Sequence, residues 1–193
     1  SNNGYVYFGD QDPAVGNYLS ISTTSSIGTA TSGYDGVISG FGMHLVASTG
    51  SSEIRYETVG SEFVIQFSDL ARTGQTADRI TFQIRLAQTT NTVSIIYGTC
   101  SATTSTTTYP QVGLRGCGYR DYKGLSGTTG TTWTAPTVSN GNGSTNAPTT
   151  TMRFTSTATA AVPASGQTYT FTPPASLGAL TYATLPATEN FDA

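Results

Sequence analysis

Two neighbouring stretches constrain this chain more than anything else in it. In Glu62-Phe63-Val64-Ile65-Gln66-Phe67 the bulky apolar residues Phe63, Ile65 and Phe67 recur at every second position. In Arg79-Ile80-Thr81-Phe82-Gln83-Ile84-Arg85-Leu86 the residues Ile80, Phe82, Ile84 and Leu86 do the same. A period of two puts each set on one face of a strand and leaves Arg79, Gln83 and Arg85 for water. Residues 52–59 and 93–100 read as flanking strands, and the joints Gly60-Ser61, Thr73-Gly74-Gln75-Thr76 and Thr89-Thr90-Asn91 are turn sequences. Four such strands in succession predict an antiparallel meander with one wet face. Its core side should comprise Phe63, Ile65, Phe67, Ile80, Phe82, Ile84, Leu86, Ile95 and Tyr97.

A single half-wet sheet cannot bury itself, so the meander needs a second layer. Short strand candidates stand at residues 18–22 and 40–48 upstream, and at 110–116, 151–156 and 168–172 downstream. Residues 126–150, rich in Gly, Thr, Asn and Ser around a lone Trp133, read as a long loop. Helical periodicity is absent. The expectation is all-β: a two-sheet antiparallel β-sandwich of jelly-roll or lectin-like kind. Pro173-Pro174 removes ladder donors, so the sandwich should occupy residues 1–174 and leave 175–193 as a linker or the start of a following module. At the other end, Asn3-Gly4 before Tyr5-Val6-Tyr7-Phe8 reads as a hairpin turn whose first strand is missing. The strand Tyr5 to Phe8 should then either lie at a sheet edge, a template for a neighbouring module or another subunit, or pair with a segment not contiguous with it.

Composition excludes several functions. With 193 residues, 36% of them hydrophobic, one sizeable core is the natural count. Only 10% of residues are charged, the net charge is −3, and seven Arg and Lys123 are scattered singly, so the basic stripe that nucleic acid requires is missing. No apolar run approaches the length of a membrane helix, and no basic segment leads into an apolar one at the start; any signal peptide would already be gone. The hydroxyl-rich, Lys-poor surface is that of a protein exposed outside the cell.

Chemistry-bearing residues are sparse. His44 is the only histidine, and no nucleophile elbow or zinc-binding histidine pair accompanies it. Glu53, Glu57 and Glu62 could supply a glycosidase pair, but they read as solvated charges interleaved with Arg55, and the expectation is that the chain is not an enzyme. Asp10 and Asp12, with help from Asp35, can bind calcium; the competing reading is a turn in which Asp10 caps its own backbone. No other cofactor is expected. Tyr119, Tyr122 and Trp133 either offer a stacking platform for sugar rings or plug the open end of the sandwich. Cys100 and Cys117 flank a Thr-rich loop, and their spacing in an extracellular chain predicts a disulfide worth roughly 3 kcal/mol of loop entropy.

NNGYVYFGD, the meander SEFVIQFSDLARTGQTADRITFQIRLAQTTNTVSIIYGT, the segment YPQVGLRG and the run TMRFTSTATAAVPASGQTYTFTPP together resemble a β-sandwich module. That module occurs in large secreted and surface proteins of the type IX secretion route of Bacteroidota. The tail LPATENFDA resembles the opening of a following jelly-roll module. The resemblance implies no catalytic residues and does not assign the two cysteines. Three functions follow as expectations: a non-catalytic cell-surface or secreted module serving adhesion or display; a carbohydrate-binding module of a secreted hydrolase; or a structural subunit that assembles through exposed strand edges. Partners would be neighbouring modules, other subunits or a glycan, without nucleic acid or membrane insertion.

Overall fold

The computed structural model describes residues 3–8, 27, 34–48, 50–102, 110–118, 121–126, 133–141 and 162–173. The expected meander is its frame. Strands β4 (Glu53–Val59), β5 (Glu62–Arg72), β6 (Gln75–Ala87) and β7 (Val93–Tyr97) follow one another, each paired antiparallel to the next. The pairings Val59 with Glu62 and Arg72 with Gln75 leave two-residue turns, and Gly60 and Gly74 supply their positive φ of 62° and 77°. At its far edge β7 receives β11 (Thr168–Phe171). On the other side, β5 is too long for one partner. Its first part holds β4, and its last three residues hold β3 (Leu45–Ala47).

The change of partner is enforced by a bulge. Between Phe67 and Leu70 the β5–β6 register shifts, and Asp69 takes a left-handed φ of 54°. Ser48 and Ser52 donate their hydroxyls to the Asp69 carbonyl (2.7 and 2.5 Å), while the Asp69 amide donates to Thr81 Oγ1 (3.0 Å). Both ends of the β3–β4 connection are thereby tied to one kinked residue.

The second sheet runs β1 (Tyr5–Tyr7), β2 (Val37–Gly42), β8 (Gln111–Arg115), β9 (Tyr122–Ser126) and β10 (Thr137–Asn140), all neighbours antiparallel. Two sheets packed face to face give the all-β sandwich expected from the sequence. Strand β10 corrects the long loop read over residues 126–150: Thr-Val-Ser-Asn carries one apolar side chain, too few for a periodic signal. Residues 18–22 and 151–156, the other strand candidates, lie outside the described residues, as does the expected linker at 175–193.

Every residue of the predicted core set is buried or packed against the core. Phe67 and Phe82 stack at 4.5 Å between centroids, and Tyr97 donates its hydroxyl across the sandwich to the Gly40 carbonyl (2.5 Å). Gly40 has to be glycine because a Cβ there would lie 2.5 Å from the Phe82 ring. The five-stranded sheet is covered on its outer side as well. Tyr5, Ile27, Tyr34 and Val37 form a second apolar cluster, so all six residues of β2 are buried. Among the described residues β1 is the sheet's edge, and its one partner there, β2, is not contiguous with it. The φ of +73° at Gly4 has a different cause from the one expected, however. Among the described residues Gly4 turns no hairpin; its carbonyl accepts from the Gly40 and Phe41 amides (both 3.1 Å), and a Cβ would fall 1.9 Å from the Phe41 carbonyl oxygen.

Candidate functional site

The outer face of the six-stranded sheet is the wet face, and its side chains are knitted across strands. Gln83 donates an amide N–H to Gln66 Oε1 (2.8 Å), Arg85 Nε donates to Gln83 Oε1 (2.9 Å), and Arg85 Nη1 reaches Glu62 Oε2 (2.9 Å). Gln66 and Gln83 stand directly opposite one another in the β5–β6 register, and Glu62 lies two residues along from the partner of Arg85 on the same face, which is why they meet. An open depression lies over them, with Arg55 and Glu57 of β4 on one side, Val64 and Gln66 in its floor, and Gln83 and Arg85 beyond. Val64 is buried beneath the charged side chains although it points away from the core. Amides and guanidinium groups held by one another present fixed donors and acceptors on this face.

Beside this depression β4 is exposed on both faces. Its register puts Ile54, Tyr56 and Thr58 beside Phe67, Ile65 and Phe63, on the side that faces the core elsewhere. Yet Ile54 is 43% exposed and Tyr56 76%, and neither belongs to the core cluster of the described residues. Tyr56 instead leans on Phe63, with ring centroids 5.9 Å apart. Alternation tells which side of β4 is apolar, but it cannot tell that this side is exposed.

The residues singled out from the sequence fall elsewhere. Trp133 is a core residue: it stacks parallel to Phe41 (5.9 Å), meets the edge of Tyr97 (5.6 Å), and accepts the Tyr169 hydroxyl at its carbonyl. Only 6% of it is exposed, so it fills the sandwich and offers no platform for sugars. Tyr122 is half-buried against the outer cluster of the five-stranded sheet, and Tyr119 lies outside the described residues. Asp35 accepts from Arg115 Nε and Nη2 (2.8 and 2.7 Å), and the same Arg115 donates from Nη1 to the Ile27 carbonyl. Its carboxylate fastens the outer layer to β8. Asp10 and Asp12 lie outside the described residues. Among the described residues no three His, Cys, Asp or Glu side chains gather closely enough to hold a metal ion. Glu53 pairs with Arg55 (2.7 Å) and Glu62 with Arg85, the solvated pairing expected of them.

The disulfide expected between Cys100 and Cys117 is not formed; both are free thiols. Cys100 packs against the core beyond β7 and donates to the Thr81 carbonyl (3.4 Å), whereas Cys117 is exposed after β8 of the other sheet. Burial pushes the Cys100 thiol up to about 11, and the bond to Thr81 offsets only part of that. Because the thiolate is the reactive form, iodoacetamide at pH 8 should modify native Cys117 quickly and Cys100 only on unfolding. Intact-mass analysis reads this directly: one adduct in the native protein and two in denaturant. A native, unreduced protein that takes no adduct would restore the bridge.

Among the described residues no helix is long and apolar enough to cross a membrane. A family profile described as NIDO related matches residues 1–173, a span that contains all eleven described strands. The chain belongs to the NIDO-related family. That is a family of extracellular modules, which agrees with the hydroxyl-rich surface, and the match carries no statement on the route of export. No curated protein and no solved structure matches this NIDO-related chain.

Proposed function

We propose that this module is a non-catalytic part of a large cell-surface or secreted protein and serves adhesion or surface display. The observation that carries the reading is the family match across the whole sandwich, from β1 through β11. Supporting it, the wet face of the larger sheet is a lattice of mutually bonded amides and ion pairs, suited to contact. The resemblance to modules of the type IX secretion route of Bacteroidota supplies the export route in this reading, with residues 175–193 leading into the next module.

Antibodies against residues 1–173 should label intact producing cells, or their medium, without permeabilisation. Producing cells that lack codons 1–173 should lose attachment while growing normally on polysaccharides. Labelling that appears only after permeabilisation would overturn the extracellular reading. Loss of growth on a polysaccharide with attachment intact would replace adhesion by the carbohydrate-binding alternative.

A further inference from the structure

Strand β4 gives one edge to β5, and among the described residues nothing pairs with the other. Exposed edges usually carry charges that repel a second strand, and Glu53, Arg55 and Glu57 look like such a device. Their order says otherwise. The sign alternates along the strand, and the strand's seven residues have Tyr56 at their midpoint.

We propose that β4 is a self-association edge: two copies of the chain pair β4 with β4, antiparallel, about a two-fold axis through Tyr56. In that register Arg55 of each copy faces Glu57 of the other, so two opposite-charge pairs form at once. Ile54 faces Thr58, Glu53 faces Val59, and Tyr56 meets its own copy on the axis. Tyr56 is already backed by Phe63, so the contact sets four aromatic rings side by side where the single chain leaves Tyr56 76% exposed. The exposed Ile54 and Val59 lie within the paired span.

Alternative registers are worse. A two-fold through Arg55 sets Glu53 against Glu57 twice, a like-charge clash. A two-fold through Ile54 restores opposite charges, Glu53 facing Arg55, but overlaps only three residues of β4. Within the single chain these charges are weakly engaged. Arg55 holds Glu53 in a pair whose side chains are 73% and 35% exposed, and among the described residues Glu57 makes no ion pair. A second copy is the fitting occupant because a complementarity centred on the strand's own midpoint serves an identical strand and has no special value for an unlike one.

Charge reversal tests this in solution. By sedimentation velocity the 193-residue chain should show a concentration-dependent monomer–dimer equilibrium. Arg55→Glu and Glu57→Arg should each weaken it by more than about tenfold, since both cross-strand pairs then become like-charged. Mixing the two variants should regain a one-to-one dimer, because one strand then carries only acidic groups at these two positions and the other only basic ones. The double variant R55E/E57R should dimerise alone. Circular dichroism and melting temperature identify any variant that has misfolded, and the mixing experiment needs only folded singles. A wild-type chain that stays monomeric up to about 1 mM overturns the proposal. So does a dimer that neither single reversal weakens, or a mixture of singles that remains monomeric.

Discussion

Phe82→Ala should lower the free energy of unfolding by about 3 to 5 kcal/mol, whereas Gln83→Ala, one residue along, should cost less than about 1 kcal/mol. The two side chains leave the same strand in opposite directions. Phe82 is fully buried, stacked on Phe67 at 4.5 Å and tilted against Tyr97 at 6.2 Å. Opposite it stands Gly40, which has no side chain to relax into the space the ring would vacate. The cavity would therefore persist, and the loss should sit at the upper end for a truncated aromatic. Gln83 loses one amide bond to Gln66 and one from Arg85 on the wet face, where water replaces both. Urea unfolding at an unchanged slope measures the difference. Equal small losses at the two positions would mean that the register or the fold is wrong, and a large loss at Gln83 with a small one at Phe82 would mark a one-residue slip, which exchanges the faces of the whole strand.

That prediction is legible in the sequence because β5 and β6 carry large apolar residues on one side and Gln, Arg or Glu on the other. Where a strand lacks that contrast, alternation says nothing. In β10, Thr137 to Asn140 hold one apolar residue and sit at a sheet edge, so nothing distinguishes them from loop. Strand β9, Tyr-Lys-Gly-Leu-Ser, is interrupted by Gly124 and escapes a periodic reading for the same reason. Trp133 is ambiguous in another way. From the sequence it could be a sugar platform or a plug of the sandwich, and Phe41, Tyr97 and Tyr169, from three strands distant in the chain, enclose it as a plug. The candidate surface is half legible. The charges of β4 can be read as solvated. Its status as an edge cannot, because it depends on which strands pair with it, and β5 alone does so among the described residues.

The two cysteines show the same limit of spacing arguments. A short separation along the chain brings them within reach only if the intervening segment closes on itself. Instead, Cys100 stays beside β6, where Thr81 accepts its thiol, and the chain then crosses to the other sheet before Cys117. In the same way, the glycine of Asn3-Gly4 answers to a close approach by the Phe41 carbonyl, and a dipeptide cannot announce a contact to a residue so far along the chain.

Asp78→Ala should destabilise the protein by about 3 to 5 kcal/mol, as much as losing a core aromatic. Where β5 turns into β6, Arg72 pairs in register with Gln75, and its Nε donates to the Asp78 carboxylate. Both side chains are withdrawn from water, Arg72 to 3% exposure and Asp78 to none. In water each charge would be hydrated, so the pair as a whole contributes little net stability. The expensive state is the half-pair. Removing Asp78 leaves a guanidinium buried without its counter-charge, and Arg cannot escape by losing a proton at any pH the fold survives. Arg72→Met should cost less than Asp78→Ala, because an uncharged side chain of similar length keeps the packing. The double replacement Arg72→Met with Asp78→Leu removes both charges and should recover most of the loss, to within about 1 to 2 kcal/mol of the native chain. Denaturant unfolding of the three variants measures these differences. If Asp78→Ala costs less than about 1 kcal/mol, water reaches the pair in solution and the end of this hairpin is open. If the double variant is as unstable as Asp78→Ala alone, the pair is supplying net stability, and the hairpin beyond the Asp69 bulge depends on it to close.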